Sequence, residues 1–284
     1  MDVRKIAILG AGALGDGIAQ VAACSGFQVA LMDLEQQMLD RGLAKIRHGL
    51  ERGASAGKFS EKVAAEALTR LASTTSLAEA CREADLVIES VPENLDLKKS
   101  VLAAADAAAP PHALLASNTS QLSVTAMGAA TGRPDRVIGM HWFHPAPLMR
   151  LVELARGVRT SDETVAVVRA VAERMGKTVV VCRDGQGFLT SRALGAHLIE
   201  CIRLLEEGVA SRQEIDAAIK LGLGYPMGPL ELADQLGLDV VYHSALGLTE
   251  AYGERFRPPQ TLVRLVEAGH LGVKTGCGFY PYGT

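Results

Sequence analysis

A chain of 284 residues, 48% hydrophobic and 21% charged, is long enough for one large domain or two ordinary ones and has the balance of a soluble protein with a sizeable core. A net charge of -3 gives no global attraction to phosphate backbones or anionic lipid, so nucleic acid and membrane surfaces are not expected partners. No apolar run approaches the roughly 20 residues that span a bilayer. The five cysteines form no CxxC pair and no metal-like spacing with histidine, and the first residues lack a signal-peptide pattern, so reduced thiols, no metal site and a cytoplasmic location are expected.

In chain order, Ile6-Ala7-Ile8-Leu9 reads as a buried strand and runs into Gly10-Ala11-Gly12-Ala13-Leu14-Gly15, followed by a helix through residues 17–22. The turn is a dinucleotide-binding pattern in its proper context. The first glycine permits a tight turn, the second lets a diphosphate approach the backbone, and the third lets helix and strand pack closely. The helix N-terminus then offers unpaired N–H groups and the positive end of its dipole to the phosphates. A second strand, residues 28–32, ends at Asp33, 18 positions after Gly15, where a carboxylate accepts from both hydroxyls of an adenosine ribose and repels a 2′-phosphate. Leu34 follows where an arginine would suit a phosphate, so the expected cofactor is NAD.

Short β-branched runs continue at residues 86–88, 113–115, 137–140 and 179–181, with helical stretches between the early ones. Alternation of this kind implies βαβ units and a mostly parallel sheet. Ser117-Asn118-Thr119-Ser120 follows one strand and His141-Trp142-Phe143-His144-Pro145 another, which places both at strand carboxyl ends, where open parallel sheets bind ligands. His141 by itself is more often a structural histidine than a base, but hydroxyl oxidation by NAD needs a group to take the proton, and imidazole titrates in the useful range. Glu153 lies inside the apolar run Leu151-Val152-Glu153-Leu154. A buried carboxylate is costly unless paired, and pairing with His141 would satisfy both groups.

After Asp184-Gly185-Gln186-Gly187 the strand signals stop, and residues 188–207, 211–221, 228–236 and 260–268 read as helices. The expected fold is therefore α/β, a Rossmann-like doubly wound, mostly parallel sheet over residues 1–185, followed by an all-helical domain over residues 186–284. Leu189, Leu194, Leu198, Cys201, Ile202 and Leu205 give the first helix of that second domain a wide apolar face, suited to a core or to a homodimer contact.

With these residues in hand the sequence resembles the 3-hydroxyacyl-CoA dehydrogenase family, and within it the short bacterial 3-hydroxybutyryl-CoA dehydrogenases, over essentially the whole chain. The likeness is carried by the glycine turn with Gly17-Ile18-Ala19-Gln20, by Val91-Pro92-Glu93-Asn94-Leu95, by residues 117–120, and by His141-Trp142-Phe143 leading to Glu153. It continues through Gly222-Leu223-Gly224-Tyr225-Pro226-Met227-Gly228-Pro229 and Lys274-Thr275-Gly276-Cys277-Gly278-Phe279-Tyr280. The resemblance implies that His141 is the general base of the oxidative direction, that Glu153 orients and charges it, and that Ser120 hydrogen-bonds the reacting oxygen. It also implies that Glu93, Lys98 and Asn118 line the nicotinamide and its ribose, that Gly10, Gly12, Gly15 and Asp33 hold the rest of NAD, and that Lys58 lies near the phosphates of an acyl-CoA substrate. Read without it, Glu93 and Lys98 are equally a surface pair, Asn118 a turn residue and Lys58 a solvated lysine. A homodimer formed through the helical domain is a further implication.

Three positions depart from the family's usual residues. Ser191, in Gly187-Phe188-Leu189-Thr190-Ser191-Arg192, stands where an asparagine contacts the substrate, and a hydroxyl offers less reach than an amide. His144 stands where asparagine is usual, and Trp142 replaces a smaller aromatic. These departures keep two alternatives open: a related dehydrogenase acting on a carrier-protein-bound or CoA-free hydroxy acid, and an NAD-binding homologue with impaired catalysis.

Overall fold

The computed structural model describes residues 1–283 and divides by internal packing into two compact units, Met1–Gly185 and Gln186–Thr284. In the first unit the elements are β1 (Lys5–Leu9), α1 (Gly15–Cys24), β2 (Gln28–Met32), α2 (Gln36–Ser55), α3 (Glu61–Thr69), β3 (Leu71–Thr74), α4 (Leu77–Cys81) and β4 (Leu86–Glu89). There follow α5 (Leu95–Ala108), β5 (Leu114–Ser117), α6 (Val124–Ala129), β6 (Val137–Trp142), β7 (Leu151–Arg156), α7 (Asp162–Arg174) and β8 (Thr178–Arg183). The second unit holds α8 (Thr190–Glu206), α9 (Arg212–Ala217), α10 (Pro229–Leu236), α11 (Leu238–Tyr252) and α12 (Gln260–Glu267).

The local chemistry of the helix starts explains most of these boundaries. Ser60, Ser76, Asn94, Ser123, Ser161 and Ser211 each accept, through a side-chain oxygen, an N–H of the first turn of α3 to α7 and α9. Helix α1 has Leu14 at its N-cap position, a residue with no side-chain atom to accept the N–H groups of the first turn.

The eight strands form one sheet in the order β3-β2-β1-β4-β5-β6-β7-β8. The first six are parallel and have the doubly wound arrangement, with the chain reversing its direction of progress between β1 and β4, where such sheets take their ligands. Strand β7 returns antiparallel to β6, and β8 runs parallel to β7. Only residues 143–150 join β6 to β7, far short of the dozen or so that a parallel crossover needs, so the reversal follows from the length of the link. Fully buried Phe27, Ile8, Leu31, Leu86 and Ile138 fill this unit's core on the sheet.

In the second unit Leu198, Ile202, Leu230, Leu238, Leu262 and Phe279 form a core. The apolar face foreseen on the long helix is thus chiefly interior. Leu194 and Leu205 pack against it and Cys201 is buried, whereas Leu189 is exposed and precedes α8. Three differences from the sequence reading stand out. The helix expected over residues 211–221 is α9 followed by a π-helical turn, Ala218–Gly222, which shifts the hydrogen-bond register. Helix α11 and edge strand β3 carried no expectation. Finally, β6 extends through Trp142, so His141 lies within the strand and not beyond it.

Candidate active site

The turn after β1 is shaped by close contacts. Gly10 has φ +109°, and a Cβ there would lie 2.6 Å from the carbonyl oxygen of Ser90. A Cβ on Gly15 would stand 1.8 Å from the Gly10 oxygen, which only a bare helix start tolerates. Gly12, by contrast, faces open space, with no atom within 4 Å of an added Cβ. Asp33, half-buried at the end of β2, accepts from the N–H of Ala11 at 2.8 Å and of Glu35 at 3.2 Å. Its carboxylate therefore ties the glycine turn to β2 and keeps lone pairs for a further donor. An uncapped helix start, an open glycine and an adjacent acid fit the diphosphate and diol of a dinucleotide.

Beside this turn, the ends of β4 and β5 carry a buried ionic network. Glu89 and Lys98 both have side chains of 0% exposure, and the ammonium of Lys98 meets the two Glu89 oxygens at 2.8 and 3.1 Å. Glu89 also accepts from Ser117 Oγ at 2.5 Å and from the N–H of Val91 at 2.6 Å. Burial pushes the Glu89 carboxyl up from its ordinary range, against the pull of Lys98 and these donors. Lys98 further donates to the carbonyls of Asn118 at 3.0 Å and Val91 at 3.1 Å, and lies 3.5 Å from Glu93 Oε2. Glu93 in turn accepts from Thr119 Oγ1 at 2.6 Å, the N–H of Ser120 at 3.0 Å and Ser120 Oγ at 3.4 Å. Asn118 accepts from the N–H of Trp142 at 3.0 Å and donates to Ser90 Oγ at 3.0 Å, which links β4, β5 and β6 at one edge.

On the next strand pair, the antiparallel register sets His141 directly opposite Glu153. Their side chains meet on one face, as cross-strand partners must. His141 Nδ1 lies 2.7 Å from Glu153 Oε2, with the carboxylate fully buried and the imidazole side chain 9% exposed. Phe143 packs on the imidazole at a centroid distance of 4.3 Å. The link between the strands is held from below by Lys177, whose buried ammonium donates to the carbonyls of Ala146 at 2.6 Å and Met149 at 2.8 Å. Burial pushes that ammonium's pKa down. The same link meets α1, where a Cβ on Gly17 would stand 3.1 Å from Ala146 and Pro147.

Within the first unit the structure joins His141 to Glu153, Ser120 to Glu93, Asn118 to β6, and Asp33 to the glycine turn. The ammonium of Lys98 is sealed from solvent and engaged by Glu89 and by two carbonyls, one of them that of Asn118. The reading of Glu93 and Lys98 as a surface pair fails for the same reason. Lys58 is exposed in the bend between α2 and α3. His144 is exposed beside Asp16, whose carboxyl is pushed up by burial and pulled down by Lys45 at 3.3 Å and by His144. Ser191 lies in the first turn of α8, just after Phe188, a non-glycine residue held at φ 44°. Glu89 was missed by sequence reasoning, although it ends the apolar run 86–88 and gives the same signal that singled out Glu153.

Comparison with known proteins places this geometry among relatives. Residues 5–185 match the model of the 3-hydroxyacyl-CoA dehydrogenase NAD binding domain and residues 187–282 that of the 3-hydroxyacyl-CoA dehydrogenase C-terminal domain. The chain is 43% identical over 288 residues to a probable 3-hydroxybutyryl-CoA dehydrogenase of Bacillus subtilis, covering 99% of this chain and 98% of that protein. It is 42% identical to a 3-hydroxybutyryl-CoA dehydrogenase of Bradyrhizobium diazoefficiens over 281 residues, 99% of this chain and 96% of the other. The crystal structure of (S)-3-hydroxybutyryl-CoA dehydrogenase from Ralstonia eutropha superposes with a TM-score of 0.97 at 39% identity, with both chains fully covered.

Proposed function

This chain belongs to the 3-hydroxyacyl-CoA dehydrogenase family, as an NAD-dependent oxidoreductase, and on that premise we propose that it interconverts short-chain (S)-3-hydroxyacyl-CoA and 3-oxoacyl-CoA thioesters with His141 as the acid–base group. The observation that carries the reading is the 2.7 Å contact of His141 Nδ1 with buried Glu153.

NAD, held by Gly10, Gly12, Gly15 and Asp33, supplies when bound a nicotinamide that accepts hydride from the hydroxyl-bearing carbon. With Nδ1–H donated to Glu153, the Nε2 atom of His141 presents a lone pair to the substrate hydroxyl and takes its proton as the carbonyl forms. The imidazolium produced is stabilised by the Glu153 carboxylate, which is already in place and cannot escape to water. Ser120, fixed through its N–H on Glu93, offers its hydroxyl to the reacting oxygen. In the reverse direction the same imidazolium returns the proton.

Lys98 acts behind this surface, holding Glu93 and Asn118 in place. Lys58, exposed between α2 and α3, is given to the CoA phosphates on the family resemblance alone. Ser191→Asn, which supplies the family's amide, is expected to raise turnover several-fold. Exposed Leu221, Leu223, Leu236, Val240 and Leu246 in the helical unit support self-association, for which sedimentation velocity of the purified chain is the check.

The test follows NADH absorbance after addition of acetoacetyl-CoA, comparing wild type with His141→Ala. Consumption by wild type that the substitution removes supports the reading. No consumption by wild type between pH 5 and 8 overturns it, and a preference for free acid or carrier-bound ester over the CoA ester would move the substrate assignment.

A further inference from the structure

The ionic network at the ends of β4 and β5 contains one ammonium and two carboxylates. Lys98 spends its charge on Glu89, which it meets at two oxygens, both side chains having 0% exposure. Four donor contacts reach the Glu89 oxygens, from Lys98 twice, Ser117 Oγ and the Val91 N–H, so the site is built for an ionised carboxylate. Glu93 lies farther from the ammonium, at 3.5 Å, and its side chain is 34% exposed. Its other contacts, with Thr119 and Ser120, are neutral donors. The cluster therefore sums to one negative charge, and Glu93 carries it at the open side of the network.

We propose that this uncompensated charge is a cofactor-selectivity device: Glu93, with Lys98 already committed to Glu89, biases the site toward the cationic nicotinamide of oxidised NAD over the neutral ring of the reduced form. The inference rests on the proposed NAD-dependent reading and on the nicotinamide lying beside Glu93, as the family resemblance implies. A charge a few ångströms from the ring, on a side chain open enough to solvent to be screened nearly as strongly as in bulk water, changes the affinity of a cation by about three- to tenfold and leaves a neutral ring almost untouched. The His141–Glu153 pair is common to every variant considered and cancels from the comparison.

The experiment measures equilibrium dissociation constants of NAD and NADH without substrate, by calorimetry and NADH fluorescence, for wild type, Glu93→Gln, Glu93→Asp and Glu89→Gln. Glu93→Gln is expected to raise the ratio Kd(NAD)/Kd(NADH) by about three- to tenfold, while Glu93→Asp, which keeps the charge, stays within about twofold of wild type. Glu89→Gln should move the ratio in the same direction as Glu93→Gln, because the released Lys98 then neutralises Glu93. Residue 89 is sealed from solvent, so that effect is electrostatic and not a lost contact. The shift should shrink as salt is raised from 0.05 to 0.5 M, as for any partly exposed charge. An unchanged ratio in Glu93→Gln, or an equal loss of both forms, overturns the inference while leaving the dehydrogenase assignment intact. Failure of wild type to bind either form would instead overturn the placement of the cofactor. Should Glu89→Gln fail to fold, the Glu93→Gln and Glu93→Asp pair decides alone.

Discussion

Both units bury carboxylates, and they satisfy them differently. In the first unit Glu89 faces an ammonium and Glu153 an imidazole, both at the carboxyl edge of the sheet. In the helical unit Asp216 accepts from the N–H groups of Leu230 at 2.8 Å and Glu231 at 3.2 Å and from Tyr280 OH at 2.7 Å. Asp234 accepts from the N–H groups of Phe279 and Tyr280 and from Tyr282 OH, each at 2.9 Å. Among the described residues neither aspartate makes an ion pair. One caps α10 and the two together fasten the C-terminal segment, whose Gly278 is needed because a Cβ there would lie 2.0 Å from Asp234 Oδ1. A buried acid with neutral donors is a fastener, whereas a buried acid against a group that can gain or lose charge is suited to chemistry.

The contrast can be broken most sharply at His141. His141→Ala is expected to lower kcat by about 10²–10⁴-fold, and to lower thermal stability as well, since it takes the imidazole away from the fully buried Glu153 carboxylate. Glu153→Gln comes next. It keeps the hydrogen bond but removes the charge that supports the imidazolium, and kcat should fall on the order of 10²-fold while the dissociation constant for NAD stays nearly constant. Equal effects on turnover and NAD binding would show the carboxylate to be a fastener after all.

Asp234→Ala tests the other side. It leaves two backbone N–H groups and a phenol without their acceptor, and denaturant unfolding should show a loss of about 3 kcal/mol or more, with the NAD dissociation constant of the folded protein unchanged. The smallest effect is in alkali. Burial first, and then the bond to an aspartate, raises the pKa of Tyr280 and Tyr282 above the ordinary value of 10.0. Above about pH 10 the unfolded chain therefore gives up these protons before the folded one. Stability contributed by the two phenols is full below that pH and is lost as pH rises past it, and replacing both by phenylalanine should flatten the decline expected in thermal melts between about pH 10 and 12.

Much of the first unit was legible because its signals are local. A strand, a turn needing three glycines and an acid at the next strand end all fall within residues 6–33. Glu153 was legible because a carboxylate inside an apolar strand requires a partner. Glu89 was passed over because it sits at the last position of its strand, where an acid reads as the start of a loop. Lys98 was legible as a site residue only through the family resemblance, because its helix begins at an exposed cap and only tertiary packing shows that the side chain points inward. Helix α11 went unseen because it starts at Gly237, φ +98°, with no side-chain cap to mark it. Strand β3 is short, at an edge and half exposed, so it lacks the alternation that marks a strand.

The sequence by itself determined the alternation of strands and helices, the dinucleotide turn and its acid, and the pairing of an imidazole with a carboxylate 12 residues away, since each follows from local sterics or from the cost of burying a lone charge. Tertiary structure alone decided which charges cancel. That Lys98 meets Glu89 at 2.8 Å and Glu93 only at 3.5 Å depends on how α5 lies across the ends of β4 and β5, and no spacing in the chain encodes a distance between elements that meet only when the sheet has formed.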